Sequence, residues 1–167
     1  EENWNFYYYI IRDQLGKPVL ATFFTYALWK EDMLAPRAVS EKIETLRLKD
    51  PYHMTSYVLS MGSLFTEGTH LYLDKSHPLW HHALQQLLDA LETLDRKLDP
   101  SMLIFRDFEK DEILNEFFHN HGFFKVSMPE SCTINNLDWK DAENYLNTLS
   151  PKSRRHFRKD IAAFEDH

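Results

Sequence analysis

A single cysteine, Cys132, stands in 167 residues. An internal disulfide is therefore excluded, as is a zinc site built on several cysteines. A reducing compartment, the cytoplasm, is the expected location. Glycine is scarce, at four residues, and no repeat or low-complexity segment appears. No apolar run approaches the ~18 residues that a membrane-spanning helix requires. Nothing near the first residue has the pattern of a secretory signal. Positive charge is in deficit: the net charge is −7, which argues against a nucleic-acid-binding surface over the chain as a whole. One stretch departs from this balance. Lys152, Arg154, Arg155, Arg158 and Lys159 fall together, with no acid before Asp160.

What is present supports a core. Hydrophobic residues make up 43% of the chain and aromatics 14%, which argues against disorder. The chain begins EENWNFYYYII without a methionine and ends within IAAFEDH, so it reads as a domain cut from something longer.

Phe6 to Arg12 and Pro18 to Leu28 are rich in aromatic and β-branched residues and predict two strands. The intervening Asp13 to Lys17 predicts a hairpin turn. The aromatic residues of this hairpin are expected to form sheet core. Val39 to Leu48 is a short helix or helical loop. Thr55 to Gly62 predicts a third strand, and Thr69 to Asp74 a short strand or loop. Ser76 has the chemistry of a helix N-cap, and Pro78 suits a first turn. The helix then runs to about Lys97, with Leu79, Ala83, Leu84, Leu87, Leu88, Leu91 and Leu94 on one wide face. A strand at 102–105, a helix at about 111–121 and a strand over Phe123 to Val126 follow. Gly122 suits the left-handed residue that ends a helix. Cys132 to Leu137 reads as one more strand, and 139–149 and 151–165 as two helices. The expected fold class is α/β (α+β): a mixed central sheet flanked by helices, with a C-terminal helical extension.

The hairpin LGKPVLA, a third strand ending in small residues, the long helix and FFHNHGFF together resemble the GNAT acyltransferase fold. The likeness covers roughly Phe6 to Asn136. LDWKDAENYLNTLSPKSRRHFRKDI resembles a segment of the FemABX-like acyltransferases of the peptidoglycan-biosynthesis type, through Leu149, Ser150, Lys152, Arg154 or Arg155, Arg158 and Lys159. The resemblance implies a GNAT-like core over 1–137, and over 138–167 the start of a second GNAT-like half. It also implies transfer of an acyl or aminoacyl group to a small-molecule or peptide amine. The donor would be acyl-CoA, acting as co-substrate with no tightly bound cofactor, or aminoacyl-tRNA. Two features depart from the family pattern. The glycine-containing phosphate signature before the long helix is replaced by LDKSHPLWHHA, and Phe118 stands where a tyrosine serves as general acid. They support an alternative, a GNAT-like binding module without catalysis.

Candidate site residues follow from these expectations. Leu59, Ser60, Met61 and Gly62 would offer a backbone edge to the donor, and Ser76 and His77 would stand at the N-terminus of the long helix. Glu67, in a glycine-containing loop, is a carboxylate able to act as general base toward an amine. Asp107 follows a strand C-terminus, where ligands of α/β sheets bind. Arg154, Arg155 and Arg158 carry guanidinium groups suited to substrate phosphates. His77, His81 and His82, like His119 and His121, lack the glutamate of an HExxH pattern and are not read as metal ligands.

Overall fold

The computed structural model describes residues 3–127 and 137–161. The strand expected over 132–137 falls almost wholly outside them, as do the last residues of the final helix. The chain divides into two compact units, 1–121 and 122–167, a division upstream of the boundary expected after Leu137.

In the first unit, β1 (Trp4–Arg12) and β2 (Pro18–Lys30) form an antiparallel hairpin. The Asp13 carboxylate closes its turn by accepting from the amides of Leu15 and Lys17. β3 (Thr55–Met61) pairs antiparallel with β2, and β5 (Met102–Ile104) pairs parallel with β3. β4 (Leu71–Leu73) pairs with β2 further along. The result is a mixed five-stranded sheet in the order β1-β2-β3-β5, with β4 off that path. This is the α+β class read from the sequence. A parallel pair needs a crossover. Here it includes the 62–79 stretch and α2 (Trp80–Leu98).

Burial follows position in the sheet. β3 lies between two strands, and Val58, Leu59, Ser60 and Met61 are all buried. α2 buries Trp80, Ala83 and a stripe of five leucines. Each of those leucines contributes about 1.5–3 kcal/mol of transfer free energy. β1 is an edge strand, and the expectation of an aromatic hairpin core is corrected on its outer side. Phe6, Tyr8 and Ile10 are more than half exposed, because no helix among the described residues covers alternate positions of this edge.

α1 (Arg37–Arg47) fastens one end of the sheet. Its last residue is a buried arginine. Arg47 donates to Asp32 at 2.6 Å, to Glu44 at 2.8 Å, and to the carbonyls of His53 and Met54 at 2.9 and 2.8 Å. The Arg47 guanidinium holds the Asp32 carboxyl below the usual carboxylate range. Beside this end lies an apolar hollow of about 170 Å³, lined by Trp29, Met33, Leu34, Ser56 and Met102 among others. The Trp29 indole N–H and the Ser56 hydroxyl are buried there without hydrogen-bond partners among the described residues.

α3 (Glu112–Asn120) starts at Asp111, whose carboxylate accepts from the amides of Ile113 and Leu114. Lys75 pairs with the same carboxylate and is the main cause of its lowered pKa. Gly122, at φ +86°, turns the chain away from the helix. The strand expected over 123–126 does not form: those residues are irregular, with Phe124 and Val126 exposed. The second unit contains α4 (Ala142–Thr148) and α5 (Pro151–His156), capped by Asp141 and Ser150. A π-helical turn continues from Phe157 to Ile161. Within this unit Tyr145 packs edge-on against both Trp139 and Phe157.

Candidate functional site at the ends of the parallel strands

β3 and β4 follow one line along β2. The Gly62 amide donates to Phe23, and Leu71 pairs with Thr22, the next residue. Residues 63–70 therefore leave the sheet and return to it at adjacent rungs. Two buried threonines of β2 hold the feet of this excursion. Thr25 donates to the Gly62 carbonyl at 2.9 Å, and Thr22 to the His70 carbonyl at 2.8 Å.

The His70 ring lies directly on Gly62. A Cβ at Gly62 would stand 2.4–2.7 Å from Cδ2, Cγ and Nε2 of that ring, so only glycine admits it. Phe23 packs against the same imidazole edge-on, with ring centroids 5.8 Å apart. Nε2 faces two acceptors, Asp107 Oδ2 at 3.2 Å and the Thr66 carbonyl at 3.3 Å. A carbonyl can only accept, which assigns the proton to Nε2.

Asp107 comes from the exit of β5. It sits at φ +61°, a left-handed conformation that aspartate tolerates better than most residues. Arg106 donates Nε to the same Oδ2 at 2.9 Å and Nη1 to the Ser63 carbonyl at 3.2 Å. Arg106 thus spans the exits of β3 and β5 to the Ser63 carbonyl, and Asp107 meets His70 at the entry to β4, both beyond the last paired rung at Ser60 and Ile104. A cleft of about 210 Å³ opens beside them, lined by Thr69, residues 107–111 and Leu114. Polar groups at the C-terminal ends of parallel strands are the usual furniture of an α/β ligand site. Chemically, the group offers one imidazole nitrogen able to take a proton, one carboxylate and one guanidinium.

The expected site residues separate into several places. Leu59 and Ser60 are paired on both sides, to β2 and to β5, so their backbones offer no open edge. The Gly62 amide and carbonyl are both bonded. Ser76 does not cap the long helix, which begins at Trp80 with Leu79 at its cap position. The Ser76 hydroxyl instead donates to Asp74 at 2.5 Å. An aspartate two residues upstream offers that hydroxyl a local acceptor, and the turn it makes delays the helix. His77 lies in the same turn, 3.5 Å from Asp13. Gly62 pairs with Phe23 and Asp74 with Val19, which separates the two halves of the expected donor site by about 13 Å of strand. Glu67 is exposed on the excursion that carries His70. Phe118 is buried against Phe105, Phe108 and Phe117.

In the second unit, Arg154 and Arg155 lie on α5, and Arg158 is 3.8 Å from Glu143. The regular α-helix that their spacing assumes ends at His156, and the wider turn that follows shifts Arg158 off the Arg154 row. Among the described residues no cluster of His, Cys, Asp and Glu is placed to hold a metal ion, and no helix is long and apolar enough to cross a membrane.

Sequence reasoning found Asp107 but missed His70 and Arg106. A histidine bounding a glycine-containing loop, and an Arg-Asp pair ending a strand, were the available signals.

No protein-family model matches the chain. No curated protein matches it either. Among solved structures, a mutant of the BH1408 protein from Bacillus halodurans is similar at 8% identity and a TM-score of 0.46, over 80% of this chain and 67% of that one.

Proposed function

We propose that the first unit is an acyltransferase-like domain of GNAT or FemABX-like type, which moves an acyl or aminoacyl group to an amine. The observation that carries this reading is the end of β3–β5 pairing at Ser60 and Ile104, with Arg106 and Asp107 of the β5 exit meeting the Ser63 carbonyl and the His70 ring just beyond it. Acyl transfer to an amine needs the donor and the nucleophile held together, and one group to take a proton. A proton acceptor on the 63–70 excursion and a carboxylate at the exit of β5 supply those roles. The donor is an acyl-CoA or an aminoacyl-tRNA.

A second reading, a binding module without catalysis, is favoured by a specific observation. Ser76 and His77 stand about 13 Å of strand away from Gly62, and Arg106 spans the exits where a donor would enter. Calorimetry of the full chain against acetyl-CoA, CoA and a charged tRNA separates the readings. Binding of a donor, followed by amide formation with an amine, supports acyl transfer. Silence toward all three at millimolar CoA and micromolar tRNA leaves the binding module.

A further inference from the structure

We infer that His70, not Glu67, is the group that takes the proton from the nucleophile, and that Asp107 positions it. This rests on the acyl-transfer reading above and deepens it by assigning the proton-accepting atom, Nδ1. The argument begins with orientation. Gly62 underlies the face of the imidazole at Cδ2, between Cγ and Nε2, and Nδ1 lies outside that closest contact. With Nε2 donating to the Thr66 carbonyl and Asp107 Oδ2 3.2 Å away, the Nδ1 lone pair is the basic site, and it has no hydrogen-bond partner among the described residues. The ring cannot turn freely. Its carbonyl is held by Thr22, its face by Gly62, its edge by Phe23 and its Nε2 by Asp107. Such fixing is what proton transfer needs and what a solvated loop carboxylate lacks. Glu67 is exposed and forms none of these contacts.

The charges that face His70 are few. Asp107 faces it from the exit of β5, and Arg106 reaches it only through the shared Oδ2. Gly62 of the β3 exit and Phe23 of β2 bring none. Asp107 therefore fixes the tautomer and steadies the imidazolium once it forms. Arg106 holds Asp107 in place and, through Ser63, ties it to the other strand exit.

The step balances as follows. An ammonium N–H bond breaks and its proton passes to Nδ1, leaving an imidazolium and a neutral amine. The amine lone pair forms the new C–N bond at the donor carbonyl, and the bond from that carbon to sulfur or to the ribose oxygen breaks. The leaving group takes a second proton from the nitrogen, and His70 returns the first to water.

Two measurements test the assignment, and the first needs no donor. In the full chain labelled with 15N-histidine, long-range proton–nitrogen spectra report the His70 tautomer. The Nε2–H form is expected in the wild type, and an Nδ1–H form overturns the proposal. The second is the pH profile of amide formation. His70→Gln is expected to lower kcat by roughly 10²–10⁴ with little change in KM and to remove the acidic limb of the profile. Asp107→Asn is expected to lower kcat and displace that limb, with Asp107→Glu restoring part of the rate. The proposal is overturned if Glu67→Gln takes the loss while His70→Gln keeps both rate and limb. It is also overturned as catalysis if the wild type transfers no acyl group. In that case an Nε2–H spectrum shows that the acyl-transfer reading failed and not the geometry of the pair.

Discussion

The two ends of the sheet both bury charge, and they do so in opposite ways. At the α1 end, Arg47 has four acceptors around it, and its side chain and that of Asp32 are about 95% buried. Nothing there is left to react. At the far end, His70 and Asp107 are held as firmly, but one imidazole nitrogen stays unpaired and Asp107 lines a cleft. The closed end satisfies the charges it buries, as stability requires, while the Trp29 indole N–H and the Ser56 hydroxyl of the hollow beside it have no partner among the described residues. The open end leaves one valence over, and a site capable of chemistry needs that.

The comparison breaks most readily at the closed end. Arg47→Met strands the Asp32 carboxylate and two carbonyls in the interior and is expected to lower Tm by on the order of 10 °C. Asp107→Asn, measured in the same thermal melts, is expected to cost less than about 1 kcal/mol because the amide keeps an oxygen that can accept from Arg106. Equal losses would erase the distinction between the ends.

Gly62→Ala comes next. It places a methyl group against the His70 ring at a backbone φ of +74°. Urea unfolding should show a loss of about 2 kcal/mol. The cross-peaks between His70 and Phe23 should disappear along with it.

A smaller effect distinguishes a surface pair from both ends. Lys17, and after it Ser76, hold the Asp74 carboxyl at about 2, below its ordinary 3.8. The folded value is the lower one, so the stabilisation is complete above about pH 4 and is lost as pH falls through about 2. Melts across that window should be shallower in pH for Lys17→Met than for the wild type.

The smallest change is expected at Ser56→Ala. It removes a buried hydroxyl that has no partner, so stability should stay within about 1 kcal/mol or rise. A large loss would mean that the hollow beside Trp29 holds a bound group.

How much of this was legible in the sequence depended on sequence distance. The hairpin, β3 and α2 were written in local patterns: alternating aromatics, a turn of Asp and Gly, leucines at helical spacing. α1 was harder to read, because its stripe ends in Arg47, a buried cation where periodicity expects an apolar residue. Ser76 was misread because its cap chemistry is real but is directed at Asp74. His70 and Asp107 each left a local signal, but their meeting left none. It exists only because β5 docks beside β3 after the whole of α2 has passed, and no pattern within a helix or strand encodes that meeting. The acyltransferase reading began from order and motif likeness, and its base had been sought at Glu67, three residues short of the histidine.

The excursion at 63–70 has a consequence for the chain's history. Because its feet rest on neighbouring rungs of β2, the register of the sheet before and after it does not depend on what lies between. Such a segment behaves as a cassette. It can be exchanged, shortened or lengthened at an entropic cost that grows only with the logarithm of its length. Recognition could therefore be rewritten in that cassette by insertion, while the strands that carry it and the arginine that braces their exits stay unchanged.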